Sequence, residues 1–384
     1  MSSKQLHELE AEHFVRWRRH LAKLIENASS QTPSRYLEIS PFEKNLNVWR
    51  ELWRVIERAH LLLVVVDARN PLQLIPRDLL DYVKEIDDGK ECLILINKAD
   101  HLTASQRNYW STYFRGQHLE VLFFSAISEQ IKLGLLSNAK REDLKQLLVE
   151  SKEDENAQIK GRKLESDHGG VEHFENGSIL SRDELCNVLR SKKKTMSLTK
   201  AMTVGFVGFP NVGKSSMINV LIGRKKVAMG ALPGKTKRLQ TLYVDEERGA
   251  EAVILCDCPG LVFPAWSRSK GDMVLDGVIP IDHLRDFVKP VEIMLGRVGV
   301  EQLNAVYGLK VPTKQQRMKA LTAHEVLEAY CVRRSLYSKG RGQCPDRMSA
   351  ARMMLKDYVR GKLLFNHPPP SLTPKQLLDF NKSE

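Results

Sequence analysis

The chain has 384 residues, of which 42% are hydrophobic and 28% charged, and its formal net charge is +12. That length suits two or three domains around an α/β core of roughly 200 residues. The longest apolar run of note, Leu61 to Val66, is far shorter than the roughly 20 residues that span a bilayer, and no charged start with an apolar continuation marks the N-terminus; neither a membrane nor secretion is expected, and the cytosol or nucleus is the default.

Residues 1–58 read as a helical segment. Phe14, Trp17, Leu21 and Leu24 recur near helical period, and Trp49, Leu52, Trp53 and Ile56 do so again after a Pro- and Ser-containing stretch from Ser30 to Pro41. Arg16, Arg18, Arg19 and Lys23 accompany the first seam, and Arg50, Arg54 and Arg58 the second. The aromatics sit where a packing seam wants them, and the basic residues form a partner-facing side.

Residues 59–264 carry six apolar runs, 61–67, 92–97, 121–126, 202–208, 239–245 and 252–257, each ending in polar residues. Near-continuous β-branched and Leu runs imply burial on both faces, as in a mostly parallel six-stranded sheet with helices on both sides. In such sheets the loops at the strand ends form the site.

The second run ends in Asn97, Lys98, Ala99 and Asp100. A carboxylate at Asp100 can accept from the N1 and N2 donors of guanine, whereas adenine offers a donor-poor edge and would leave it unpaired. GTP or GDP is therefore expected rather than an adenine nucleotide. The aliphatic stem of Lys98 can cover the ring, and Ser125 with Ala126, ending the third run, can offer a backbone amide to guanine O6.

A charged segment of about residues 128–195 follows and reads as a flexible insert. It closes in a helix that begins at a capping box, Ser181 with Glu184. From Leu185 to Val244 there is no Asp or Glu, while Arg190, Lys192, Lys193, Lys194, Lys200, Lys214, Arg224, Lys225, Lys226, Lys235, Lys237 and Arg238 all fall inside. One or two cations serve a nucleotide, so the surplus points to a larger anion such as RNA, or to an ordinary solvated surface.

The fourth run leads into Gly208, Gly213, Lys214 and Ser215, which satisfy G-x-x-x-x-G-K-[ST] in the strand-to-helix context that motif requires. The loop amides from Asn211 and Val212 through Gly213 to Ser216 can approach phosphate oxygens, Lys214 can neutralise them, and Ser215 can ligate Mg²⁺ at the start of a helix whose dipole favours an anion. Asp257, Pro259 and Gly260 form D-x-P-G at the end of the sixth run, where the carboxylate can reach Mg²⁺ and the glycine amide the γ-phosphate. Thr236 lies between, where its hydroxyl could complete the Mg²⁺ shell when the γ-phosphate is present. Leu261 stands where many GTPases carry a water-orienting Gln, so intrinsic turnover is expected to be slow.

The six cysteines, 92, 186, 256, 258, 331 and 344, show no C-x-x-C pair and read as reduced and structural, with Cys256 and Cys258 on opposite faces of their strand. Residues 265–384 read as an α-helical domain and tail. There Arg352, Lys356 and Arg360 mark one cationic helix face opposite Ala351, Leu355, Tyr358 and Val359, and His324 is a surface residue without assigned chemistry.

The base reader precedes the phosphate loop. If 92–97 and 121–126 are the fifth and sixth strands of a GTPase sheet, the chain begins at the fourth and adds the first three later, which is a circular permutation. The D-x-P-G segment then runs directly into the C-terminal domain, coupling nucleotide state to it.

The order Asn97 to Asp100, "SA", "GFPNVGKSS" (208–216), "PGKTK" (233–237) and "DCPG" (257–260) resembles the circularly permuted ribosome-assembly GTPases. "NLNVWRELWRVIERAH", "DARNPL", "GVIPIDHLRD" and "LKDYVRGKLLFNHPPP" extend the likeness from about Ser40 to Pro370, toward the family's eukaryotic cytoplasmic branch. The resemblance implies a Ras-like P-loop fold and GTP hydrolysis involving Lys214, Thr236, Gly260 and Asn211, with a K⁺ ion held in part by Asn211. It also implies a late large ribosomal subunit precursor as partner, with contacts to rRNA and ribosomal proteins, and GTP-linked release of a nuclear export adaptor. A cytoplasmic monomer that can shuttle to the nucleus, with a longer leader than this chain shows, is expected. The rival reading is a nucleolar or regulatory GTP-binding switch that controls protein partners without ribosome contact.

Overall fold

The computed structural model describes residues 2–31, 40–136, 177–224, 240–244, 249–250, 252–265, 269–312, 321–338 and 344–381. Thr236, most of the charged insert, and Lys225, Lys226, Lys235, Lys237 and Arg238 of the basic stretch lie outside these residues.

Helix α1 (Ser3–Gln31) packs by aromatic contacts on α2 (Leu46–Arg58), with ring centroids of Trp17 and Trp49 5.2 Å apart and of Phe14 and Trp49 6.2 Å apart. The seam expected from periodicity thus reaches its partner through Phe14, Trp17 and Trp49, while Leu24 stays exposed. Asn45 starts α2 by accepting from the Asn47 amide at 3.0 Å, satisfying a donor the first helical turn leaves open. Leu52, Val55 and Ile56 of α2 are buried in the core that the sheet supplies.

That sheet holds β1 (Leu61–Asp67), β2 (Glu91–Asn97), β3 (Val121–Phe124), β4 (Ile179–Leu180), β5 (Met202–Val207), β6 (Gln240–Tyr243) and β7 (Val253–Asp257) in the order β4-β3-β2-β1-β5-β7-β6. Every described pairing is parallel except β6 with β7. All six apolar runs of the sequence are present as strands, and a seventh strand, β4, joins them. It was hidden because two residues cannot display a period; β4 exists only by pairing Ile179 and Leu180 with Phe123 and Phe124. Both strands at the centre are covered on each face, and all seven residues of β1 are buried. The expectation that Cys256 and Cys258 split between inside and outside is corrected: residues two apart in extended backbone share a face, and both are buried.

The order is that of a circularly permuted P-loop GTPase sheet: β5, which leads to the phosphate loop, lies in the middle beside β1, and the chain reaches it only after β1, β2 and β3. Around it run α3 (Pro71–Leu74), α4 (Arg77–Ile86), α5 (Ala104–Gly116), α6 (Ala126–Lys132), α7 (Arg182–Thr195) and α8 (Lys214–Ile222). Helix α7 starts at the capping box foreseen in the sequence, where Ser181 Oγ accepts from the Glu184 amide and Glu184 accepts from the Ser181 amide. The two ends of the charged insert therefore belong to the domain, as α6 at one end and β4 with α7 at the other.

A second apolar core is built by α9 (Lys270–Leu275), α10 (Val288–Arg297), α11 (Val300–Tyr307), α12 (Ala323–Arg334) and α13 (Arg347–Arg360), around Val291, Met294, Tyr330, Met354 and Leu355. The chain then returns to the sheet domain through α14 (Pro374–Phe380), whose Phe380 joins the first core beside Tyr109.

Two charge expectations change. Lys192 is held between Glu91 and Glu120 at 3.0 Å each, and Lys193 donates to the Ala250 carbonyl at 2.6 Å, so neither adds to an exposed basic surface. On α13, Lys356 pairs with Asp282 at 2.5 Å and Arg352 is half-buried, which leaves Arg360 as the exposed member of the expected cationic face.

Candidate nucleotide-binding site

Five loops meet at the carboxyl ends of the strands, following Asp67, Asn97, Phe124, Val207 and Asp257. Parallel register sets them level: Asp67 lies opposite Asn97 and Asn97 opposite Phe124.

The phosphate loop depends on backbone that side chains would obstruct. Gly213 has φ +104°, and a Cβ there would lie 2.1 Å from Asn97 Nδ2; Gly208 has φ +146°, and a Cβ would lie 2.4 Å from the Val65 carbonyl oxygen. Asn211 takes φ 61°, a left-handed conformation that Asn tolerates better than most residues. Lys214 is buried and donates to the carbonyls of Gly208 and Phe209 at 2.9 and 2.7 Å, closing the loop on itself. Burial draws its ammonium below the ordinary lysine value, against the opposing pull of Asp257. An ammonium dehydrated in this way gains most from an anion placed beside it.

Ser215 Oγ donates to Asp257 Oδ2 at 2.9 Å, joining the start of α8 to the end of β7. This hydroxyl and fully buried carboxylate form a hard-oxygen pair next to the phosphate cradle, a donor set that suits Mg²⁺, which takes few protein ligands and keeps water and phosphate oxygens for the rest. Among the described residues no group of three or more His, Cys, Asp or Glu is placed to hold a metal on its own. Pro259 is buried, and Gly260 sits so close to the phosphate loop that a Cβ would lie 2.8 Å from Pro210 Cα. Leu261 donates its amide to the Gly208 carbonyl at 3.3 Å and buries its side chain in the core. A side chain turned inward at this position has no part in orienting water. Burial pushes the Cys258 thiol up to about 12, so this neighbour of Asp257 stays a protonated packing group.

On the base side, Ser125 Oγ donates to Asp100 Oδ1 at 2.6 Å, aiming the carboxylate, and also caps α6 by accepting from the Ser128 amide at 3.2 Å. Lys98 has φ 63° and its Nζ donates to Asp67 Oδ2 at 2.7 Å. Asn97 does something its motif does not reveal: its Nδ2 donates to the Val212 carbonyl at 2.8 Å while its Oδ1 accepts from the Ala126 amide at 3.1 Å. It ties the phosphate loop to the β3 loop. The Ala126 amide expected to face guanine O6 is thus engaged by Asn97 in this structure. Ser216 lies on the first turn of α8, where its carbonyl accepts from Gln130 at 3.2 Å.

Several residues that contact these loops carried no chemical signal in the sequence. Arg69 grips Asp67 with Nε at 3.0 Å and Nη2 at 2.7 Å. His101 lies beneath Gly361, the left-handed cap of α13, so closely that a Cβ there would stand 2.5 Å from His101 Cε1. Burial lowers the His101 imidazole from its usual value, which keeps it neutral near pH 7. Asn211 Nδ2 donates to the Gly277 carbonyl at 2.7 Å, linking the phosphate loop to the segment after α9.

Comparison with known proteins follows the same lines. A family model described as 50S ribosome-binding GTPase matches residues 203–289, from the phosphate-loop strand through the D-x-P-G segment. The Large subunit GTPase 1 homolog of Gallus gallus is 34% identical over 450 residues, covering 97% of this chain and 67% of its own. The chain belongs to the large subunit GTPase 1 family. The Large subunit GTPase 1 proteins of Saccharomyces cerevisiae and Schizosaccharomyces pombe are 39% and 40% identical, over 100% and 98% of this chain. The chain spans 59% and 58% of the length of those two relatives. GNP-bound YlqF from T. maritima aligns with 84% of the chain and 99% of its own at 18% identity and a TM-score of 0.47.

In this member of the large subunit GTPase 1 family, the C-terminal domain bonds to the base side of the site as well as to Asn211 of the phosphate loop. Arg69 Nη1 donates to the Tyr358 and Val359 carbonyls at 3.1 and 2.9 Å, and Asn366 Nδ2 donates to the His101 carbonyl at 2.8 Å.

Proposed function

We propose that this chain binds GTP and GDP with Mg²⁺, hydrolyses GTP slowly on its own, and acts in late cytoplasmic maturation of the large (60S) ribosomal subunit. The observation that carries the nucleotide part is the double tie through Asn97, which joins base-reading and phosphate-binding segments 115 residues apart. Asp100, aimed by Ser125, would accept from guanine N1 and N2, and the Lys98 stem would cover the ring. Lys214 would exchange the Gly208 and Phe209 carbonyls for phosphate oxygens, with amides of residues Asn211 to Ser216 around them. Ser215 and Asp257 would hold Mg²⁺, which when bound neutralises charge on the phosphates. Thr236 would join only in the GTP state, and the Gly260 amide would meet the γ-phosphate. Leu261 supplies no hydrogen bond to water, so turnover depends on added positive charge; K⁺ near Asn211 is the proposed source, with the subunit completing the site.

Family membership supports the ribosomal part, as does the description of the matching model. The rRNA and ribosomal proteins of a large-subunit precursor are the proposed partners, and GTP binding or hydrolysis would drive release of the nuclear export adaptor. Action as a cytoplasmic monomer with nuclear shuttling completes the reading. Isothermal calorimetry with Mg²⁺ tests the first part: GDP is expected to bind at least 100-fold tighter than ADP, and equal affinity would overturn the assignment. Sucrose-gradient sedimentation of cell extract tests the second. Migration with free large subunits supports it, and residence only in light fractions supports a switch without ribosome contact. GTP hydrolysis is expected to be faster in K⁺ than in Na⁺, and faster again with precursor particles.

A further inference from the structure

Three charged side chains stand buried or half-buried beside the base-reading loop, with Asp67 at 3% and Arg69 at 7% exposure and Lys98 partly covered. Their position follows from the sheet. Asp67 and Asn97 end neighbouring parallel strands in register, so the residue after Asn97 starts within reach of the Asp67 carboxylate. Asp67 accepts from Lys98 at one oxygen and shares both oxygens with the Arg69 fork. Burial alone would raise the Asp67 carboxyl, yet Arg69 and then Lys98 hold it well below the usual carboxylate range.

Such a buried trio is a poor device for stability, because dehydrating charges costs about as much as their attraction returns, and apolar groups of the same volume often do as well. What it supplies is one defined geometry. Lys98 occupies left-handed backbone, unusual for a long side chain, and a free lysine has substantial rotamer entropy to lose on being fixed. The Asp67 bond fixes it in advance. Arg69 carries the arrangement outward: its Nη1 bonds the last carbonyls of α13, where the helix dipole is negative, and its own carbonyl accepts from the His367 amide at 2.8 Å. The next residue, Asn70, donates to Asp276 at 3.2 Å.

We propose that Asp67 is a positioning residue for guanine binding, holding the Lys98 stem ready to cover the base, and that Arg69 makes this readiness depend on the docked C-terminal end of α13. The proposal rests on the guanine-nucleotide reading above. It gives the C-terminal domain a direct hold on nucleotide affinity from the base side, separate from the γ-phosphate. Displacing α13 would loosen GDP and GTP alike.

A double-mutant cycle tests it, with fluorescent GDP titrated into the full chain, Asp67→Asn, Lys98→Met and the combination. Each single change is expected to weaken GDP binding about tenfold, and the combination no more than Lys98→Met alone, because both remove the same oriented stem. Affinities that fall multiplicatively, or an Asp67→Asn protein that binds GDP as the wild type does, would overturn the proposal. If Asp67→Asn does not fold, Arg69→Gln replaces it in the cycle. Weaker GDP binding in the wild-type background but not in Lys98→Met supports the proposal, and equal losses in both backgrounds refute it. A wild-type protein that binds no GDP would sink the nucleotide reading itself, an outcome distinct from wild-type binding with an indifferent Asp67.

Discussion

The phosphate half and the base half of the site are built by different means. The phosphate half is mostly backbone, a short contiguous loop whose glycines allow amides to converge and whose lysine closes on its own carbonyls. The base half is mostly side chains held by other side chains: Asp100 by Ser125, Lys98 by Asp67, and Asp67 by Arg69. Backbone geometry is set locally, whereas a chain of side-chain bonds inherits the placement of every element that contributes to it. The first half therefore keeps its shape largely from its own backbone, although Asn211 donates to the Gly277 carbonyl, whereas the second depends on the C-terminal domain through Arg69 and the His101 carbonyl.

Gly213→Ala should have the largest effect, since the added Cβ meets Asn97 Nδ2 at 2.1 Å in left-handed backbone and strains the Asn97 tie, which serves both halves. GDP affinity by calorimetry is expected to fall more than about 100-fold, combining a backbone penalty with the loss of a buried hydrogen bond. Lys214→Met removes the phosphate cation but leaves the base half intact; GTP and GDP should bind about 100-fold more weakly, as loss of a buried charged contact costs several kcal/mol, with the guanine preference retained. Asp100→Asn is the converse. It should leave ADP binding nearly unchanged while lowering the GDP-to-ADP ratio by at least about tenfold, and undiminished selectivity would contradict the role of Asp100. Ser125→Ala removes the hydroxyl that aims Asp100 and caps α6, so GDP affinity should fall about fivefold, the ~1 kcal/mol net cost of an ordinary hydrogen bond.

The smallest effect is on acid stability. Burial opposes but does not prevent the lowering of the Asp67 carboxyl by Arg69 and Lys98. A group whose folded value is depressed stabilises the fold fully above its unfolded value, about pH 4, and that contribution is lost as the pH falls through the folded value. The melting temperature of the wild type should therefore decline below about pH 4 more steeply than that of Asp67→Asn, measured by circular dichroism without nucleotide.

Legibility in the sequence divides along the same boundary. Gly208, Gly213, Lys214 and Ser215 could be recognised from their spacing, because each role is local to one strand, turn and helix start. The central strands were visible because burial on both faces demands unbroken apolar runs. Asn97 carried a motif but not its task, since a tie to Val212 and Ala126 exists only once β2, β3 and β5 are assembled. Lys192 and Lys193 counted as surface cations in the linear charge pattern, yet Glu91, Glu120 and the Ala250 carbonyl take them up, because ion pairing depends on which strand ends lie beneath α7.

The sequence by itself determined the nucleotide-binding motifs, their permuted order and the parallel sheet that the order requires. Those features follow from local backbone chemistry and from the continuous hydrophobicity of doubly covered strands. Only the tertiary structure decided that Asp67, Arg69 and the end of α13 stand behind Lys98, that His101 packs under Gly361, and that Leu261 turns into the core. These contacts join residues up to 290 apart, and pairing over such distances is selected by the packing of whole elements, which no local pattern encodes.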